Sequence, residues 1–309
     1  MSSIDEYDGA NLASFIYGGG EMENVYKTKE PENMAEFVKA MEDKIQTLPS
    51  YKIGEQMTRA EYQKKLDQIK SSEVLMRMKI ENFENNEETD FRAMTLVDPE
   101  NEVKPTIVFR GTAGNYGWGD NFAAMFSSMT PSQREATKYV ANSGHDHVTL
   151  VGHSKGGNLA AACAYALPPG MVDKVNSCDG QGLSKTFLSQ ISGWKQNVAL
   201  NLVHNINEYR DMVSQIFTKT RSDKNTIYFD WGVECYNADL LGDGFNLKMY
   251  FFHVHKPNYF IKPGVTLADR TFVPSGLQIR YPFGMGWTHY RNLRNDVRIV
   301  FSEKNGWGK

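Results

Sequence analysis

The spacing of apolar side chains first turns from a helical to a strand period near residue 90. Before it, Met34, Phe37, Val38, Met41, Ile45 and Leu48 recur every three or four positions, which predicts an amphipathic helix over 31–48. Tyr62, Leu66, Ile69, Val74, Leu75 and Met78 predict a second over 58–80, opened by Thr58 with Glu61 three residues on as a capping box. A shorter apolar patch at 11–17 ends in Gly18-Gly19-Gly20, and the charged stretch 81–90 reads as a turn. From Phe91 the period is two. Segments 91–97 and 105–110 read as strands joined by the polar hairpin Asp98-Pro99-Glu100-Asn101. A helix is expected over 131–142, with Thr130 as N-cap and Pro131 at the first position. Strands follow at 148–151 and 172–177, a helix at 183–191, and further strands at 198–206, 227–233 and 247–254. After Lys256 aromatics and glycines are frequent, and only 289–303 keeps a helical period. Strands alternating with helices predict an α/β fold with a mostly parallel central sheet and helices on both faces. The expected organisation is an N-terminal helical segment (1–90) packed on a core (91–260), then an irregular C-terminal extension (261–309) serving as lid, interaction surface or dimer contact.

One stretch carries chemistry. Val148-Thr149-Leu150-Val151 runs into Gly152-His153-Ser154-Lys155-Gly156-Gly157-Asn158, and an Ala-rich helical run follows at once. A G-x-S-x-G pattern between strand and helix is a nucleophile elbow: the bare glycines permit a turn too tight for side chains and leave the serine exposed above the sheet. A serine needs a histidine to accept its proton and a carboxylate to orient that imidazole. The chain order that accompanies such an elbow is nucleophile, acid, histidine. That order removes His145, His147 and His153 and leaves His204, His253, His255 and His289. His204 lies in an apolar strand, where a packed histidine is expected, and His289 lies in the irregular tail. His255 is favoured over His253 because it is nearer the Pro257 turn, where a strand gives way to a loop. Asp211 follows the 198–206 strand and is the favoured acid; Asp179, in the turn Asp179-Gly180-Gln181-Gly182, is the rival. Two donors must face the developing oxyanion. The backbone N–H of Lys155 and the amide or hydroxyl of Thr112, on the loop Phe109-Arg110-Gly111-Thr112, are the candidates.

Composition narrows the partners. The 309 residues, 40% of them hydrophobic, suffice for a sizeable core. A balance of 34 basic against 37 acidic residues, with both signs scattered, points away from nucleic acid. Cys163, Cys178 and Cys235 lack the spacing of a disulfide framework or zinc cluster. His145-Asp146-His147 and His253-Val254-His255 each pair imidazoles without a third ligand at recognisable spacing, so neither metal nor cofactor is expected. With no basic leader followed by an apolar run, and no stretch of roughly 18 apolar residues, a cytoplasmic protein is the expectation, with signal-less export as the other route. Oligomeric state is not written in the pattern.

The Phe109-Arg110-Gly111-Thr112 loop followed by the elbow resembles the class 3 lipases, and more closely a bacterial branch of the same α/β-hydrolase superfamily. Trp118-Gly119-Asp120-Asn121-Phe122, Pro131-Ser132-Gln133, Asp179-Gly180-Gln181-Gly182, Asp211-Met212-Val213 and His255 trailed by Pro257 extend the resemblance over roughly 11–260. It implies an α/β-hydrolase fold, Ser154 as nucleophile, Asp211 as orienting acid, His255 as base, and Thr112 with Lys155 in the oxyanion hole. It further implies a small-molecule or lipid ester as substrate, with transient contact to a membrane surface. Lys155 stands where class 3 lipases have an apolar residue or Gln, and 114–129 reads as a lid or as a helix packed on the sheet. Two other readings remain: an exported phospholipase acting on membrane lipids, and a non-enzymatic binding module on a hydrolase scaffold.

Overall fold

The structure, a computed structural model, describes residues 1–48, 53, 57–86, 88–112, 128–208, 211, 213–215, 220, 225–229 and 255. The expected strand at 247–254, the segment 114–127, His253, Cys235 and the helix at 289–303 lie outside the described residues. Among the described residues seven strands lie side by side in chain order: β1 (Lys79–Asn86), β2 (Phe91–Val97), β3 (Thr106–Phe109), β4 (Val148–His153), β5 (Val172–Cys178), β6 (Val203–Glu208) and β7 (Thr226–Phe229). β1, β2 and β3 pair antiparallel, and every pairing from β3 to β7 is parallel. The expected α/β architecture with a mostly parallel sheet is therefore the observed one.

Alternation along the strands divides the interior into two cores. Met94, Leu96, Val108, Val151, Cys178 and Ile206 point into one, with the N-terminal helices α1 (Glu6–Phe15), α2 (Gly19–Lys29), α3 (Met34–Gln46), α4 (Arg59–Lys70) and α5 (Glu73–Arg77). Their neighbours Ile107, Phe109, Leu150 and Val175 point into the other, under α6 (Pro131–Ala141), α7 (Lys155–Ala166), α8 (Lys185–Ser189) and α9 (Gly193–Leu202). Helices thus cover both faces, as parallel strands buried on both sides require. β4 is buried along its whole length.

Helix ends follow local chemistry. Thr58 and Thr130 each cap a helix with a complete capping box, closed by Glu61 and Gln133, and Pro131 sits in the first turn of α6. Three expectations need correction. The helix expected over 58–80 breaks at Ser71-Ser72, because the Ser72 hydroxyl accepts from the Leu75 amide and starts α5 anew. Most of the expected turn at 81–90 is β1, which pairs with β2 from Lys79↔Val97 to Asn86↔Phe91; at a sheet edge its polar residues stay wholly or partly exposed. The strand expected over 198–206 begins as α9, capped by Ser192, and turns into β6 only at Val203. α2 was not anticipated, since its glycine-opened sequence buries just Gly19, Met22 and Val25. Among the described residues no helix is long and apolar enough to cross a membrane.

Candidate active site

β4 ends at His153 and α7 begins at Lys155, so Ser154 alone makes the turn, at φ 58° and ψ −122°. A non-glycine residue held there stores on the order of 1–3 kcal/mol of strain. The surroundings enforce it. The Ser154 amide donates to the Cys178 carbonyl at 2.9 Å and the Asn158 amide to the Ser154 carbonyl at 3.1 Å. A Cβ on Gly152 would lie 2.2 Å from the Gly156 carbonyl carbon, and one on Gly156 would lie 2.3 Å from the Phe109 carbonyl oxygen. Strand and helix therefore meet at backbone contact. Asn158, one turn into α7, donates to the Gly182 carbonyl at 2.6 Å and accepts from Gln133 at 2.7 Å, which ties α6 and the loop after β5 to the elbow.

Asp211 and His255 come together. The His255 Nδ1 lies 3.0 Å from Asp211 Oδ1, with both side chains buried. Asp211 also accepts from the amides of Val213 at 3.1 Å and Ser214 at 2.7 Å, which fixes its carboxylate before the imidazole reaches it. Among the described residues the His255 Nε2 is buried without a hydrogen-bond partner. The His255 ring stacks on His153, the residue before Ser154, with centroids 4.9 Å apart and planes 28° from parallel. Asp179 lies close by: it is 1% exposed, at φ 45°, and its amide donates to the Ile206 carbonyl at 3.0 Å. Both candidate acids thus border one imidazole, and the 3.0 Å contact belongs to Asp211. His204 sits on β6, away from this cluster, half-buried and 3.0 Å from Glu6. Glu6 is held down at about 2, chiefly by that bond, with Lys174 adding to it.

Two further side chains, Tyr17 and Asp90, support the elbow from positions that spacing does not reveal. Tyr17, at the end of the first apolar patch, places its hydroxyl 2.9 Å from the His153 Nδ1 and its ring edge-on to the imidazole. Burial holds His153 neutral, well below the usual histidine range, with the neighbouring His255 adding to the effect, and burial pushes the Tyr17 phenol up. Asp90, at φ 51° in the β1–β2 hairpin, contacts Arg110 at 2.5 Å and Lys155 at 3.6 Å. The Lys155 ammonium also donates to the Thr89 carbonyl at 3.4 Å. A charged residue 3% exposed beside Ser154 is accordingly paired. Thr112, 6% exposed, follows Arg110 by two residues on the loop after β3, beside β4. The one hint of this arrangement in the sequence is Lys155 itself, a cation where the resemblance leads one to expect an apolar residue or Gln.

Over residues 63–199 the chain is similar to the Mbeg1-like family, whose model matches that segment. Among solved structures it is similar to a Rhizomucor miehei lipase in its propeptide complex, at 18% identity over 45% of this chain and 52% of that one, with a TM-score of 0.33. It is likewise similar to a triacylglycerol lipase described as having a serine protease triad as its catalytic centre, at 14% identity over 63% and 86% of the two chains and a TM-score of 0.38. The lipase from Rhizopus microsporus var. chinensis aligns at 11% identity over 70% and 71%, with a TM-score of 0.32. The chain spans about half the length, 52%, of the first of these. No curated protein sequence matches it.

Proposed function

We propose that the chain is a serine hydrolase of the lipase or esterase type, cleaving carboxylic esters through an acyl-enzyme on Ser154. The observation that carries this reading is the pairing of His255 with Asp211, beside the strained strand–helix turn that holds Ser154. Ser154 Oγ attacks the ester carbonyl while His255 Nε2 takes its proton. Asp211, already accepting two backbone amides, keeps the imidazole's other nitrogen protonated and offsets the charge that develops. The N–H of Lys155, at the first turn of α7, and that of Thr112 hold the tetrahedral oxyanion. The imidazolium then protonates the departing alcohol. A water activated by the same histidine releases the acid and regenerates the hydroxyl. A small-molecule or lipid ester is the substrate class the sequence resemblance implies.

Labelling with a fluorophosphonate probe tests the nucleophile, with mass spectrometry expected to locate the adduct on Ser154. Ser154→Ala should abolish both labelling and the hydrolysis of short acyl esters, and hydrolysis persisting near the wild-type rate sinks the mechanism. Asp211→Asn should lower kcat by about 10⁴, as in serine proteases. A near-neutral effect would transfer the acid's role to Asp179. Rates against acyl esters of rising chain length and against phospholipid vesicles distinguish an esterase from an enzyme of lipid surfaces.

A further inference from the structure

We propose that His153, Asp179 and His255 form a binding site for a divalent transition-metal cation, zinc foremost, and that its occupancy silences the hydrolase; the silencing rests on the reading of His255 as the base. The ligand-capable atoms of these three buried side chains all lie within 4.8 Å of one another. No stretch of sequence announces the set, because its members come from the end of β4, the loop after β5 and a position far downstream. The paired imidazoles at 145–147 and 253–255 lack a third ligand by spacing, and folding supplies one to His255 from elsewhere.

Two features beyond proximity point to a ligand. Each imidazole is oriented through Nδ1, by Asp211 Oδ1 for His255 at 3.0 Å and by the Tyr17 hydroxyl for His153 at 2.9 Å. Metal-binding histidines are held in this manner, with one nitrogen engaged by the protein so that the other meets the cation. The second feature is the His255 Nε2, on a side chain 6% exposed and without a hydrogen-bond partner among the described residues. Two imidazole nitrogens and one carboxylate oxygen suit zinc rather than calcium or magnesium, which prefer oxygen throughout. Tetrahedral zinc with bonds of about 2.0–2.2 Å sets its ligand atoms roughly 3.4 Å apart, so the three side chains close inward by about 1 Å on binding. The fourth position is left to water. Binding uses the two Nε2 lone pairs and a carboxylate oxygen, with both imidazoles in the Nδ1–H tautomer; no bond in the protein breaks and nothing is oxidised. Once its Nε2 lone pair is on the metal, His255 has none with which to accept the Ser154 proton.

The experiment is calorimetric titration of the full chain with zinc chloride, run beside fluorophosphonate labelling with and without the metal. One zinc per chain at micromolar affinity is expected, with labelling suppressed in proportion to occupancy and restored by a chelator. Asp179→Asn and His153→Gln should each weaken binding tenfold or more. If His153→Gln fails to fold, Asp179→Asn and the visible absorption of cobalt in the wild type carry the test, a tetrahedral cobalt spectrum being expected. Histidines nearer the surface offer the competing explanation, half-buried His145 beside Glu81 and exposed His147 beside Asp173. His145→Ala/His147→Ala should leave the zinc isotherm unchanged, and loss of binding in that variant overturns the site. So does an unaltered isotherm in Asp179→Asn. A chain that binds zinc through these residues yet never labels at Ser154 upholds the site and overturns the hydrolase reading. One that labels but takes up no zinc overturns the site alone.

Discussion

On one face of the sheet α7 presents Leu159, Ala160, Ala161, Ala162 and Cys163, all buried and nearly all small, whereas on the other α1, α3 and α4 present Phe15, Phe37, Met41, Tyr62 and Leu66. The first layer brings backbone against backbone, which is what a one-residue turn at Ser154 demands. The second keeps its distance with large side chains and, within them, houses polar groups. Tyr17 reaches across to His153. Lys65, wholly buried, donates to Asn11 at 3.0 Å and Gln68 at 2.8 Å, and burial pushes its ammonium down to about 7. Close packing builds the geometry of the elbow; bulk on the opposite side shelters the groups that steady it from behind.

Substitutions can break or sharpen this contrast. Gly152→Ala should have the largest effect, since its methyl would fall 2.2 Å from the Gly156 carbonyl carbon, where no flexible side chain can yield. A loss of roughly 3 kcal/mol or more is expected, read as a collapse of the thermal melting temperature together with loss of Ser154 labelling. A near-normal melt would mean the tight layer has slack. Overpacking comes next. Ala161→Leu should cost about 1–3 kcal/mol, whereas Met41→Leu in the bulkier layer should cost less than about 1.5 kcal/mol. Equal shifts in urea midpoint would erase the distinction.

The smallest effect is graded with pH. From about 7 to the ordinary lysine value of 10.5, the unfolded chain keeps a proton on Lys65 that the folded chain has released. Stability contributed by this group therefore rises with pH through that window, by up to ~1.4 kcal/mol per unit. Below about 7 both states carry the proton and the contribution is flat. Urea midpoints of wild type and Lys65→Met should diverge between pH 7 and 9, the wild type gaining. Parallel profiles would show that the buried amine does not titrate there.

What the sequence made legible was local. The elbow, the Thr58 capping box, the Thr130 N-cap and the β2–β3 hairpin each draw on residues within a few positions of one another, and each stands where pattern puts it. Errors arose where tertiary surroundings outweighed the local signal. An apolar run that satisfies either period became the end of α9, and a polar stretch became an edge strand because β2 offered it partners. The site divides in the same way. Asp211 and His255, which the fold sets 3.0 Å apart, were reachable through chain order and the strands expected before them. Tyr17 and Asp90 were not, since each acts on a residue brought near only by the completed fold.

The carboxylate of Asp90 grips Arg110 on the loop that follows β3 and Lys155 on the first turn of α7. A lone hairpin residue thus works as a clasp between that loop and that helix, fixing how far apart they stand. Drawing the two apart would first require the clasp to open, leaving two cations without their shared carboxylate.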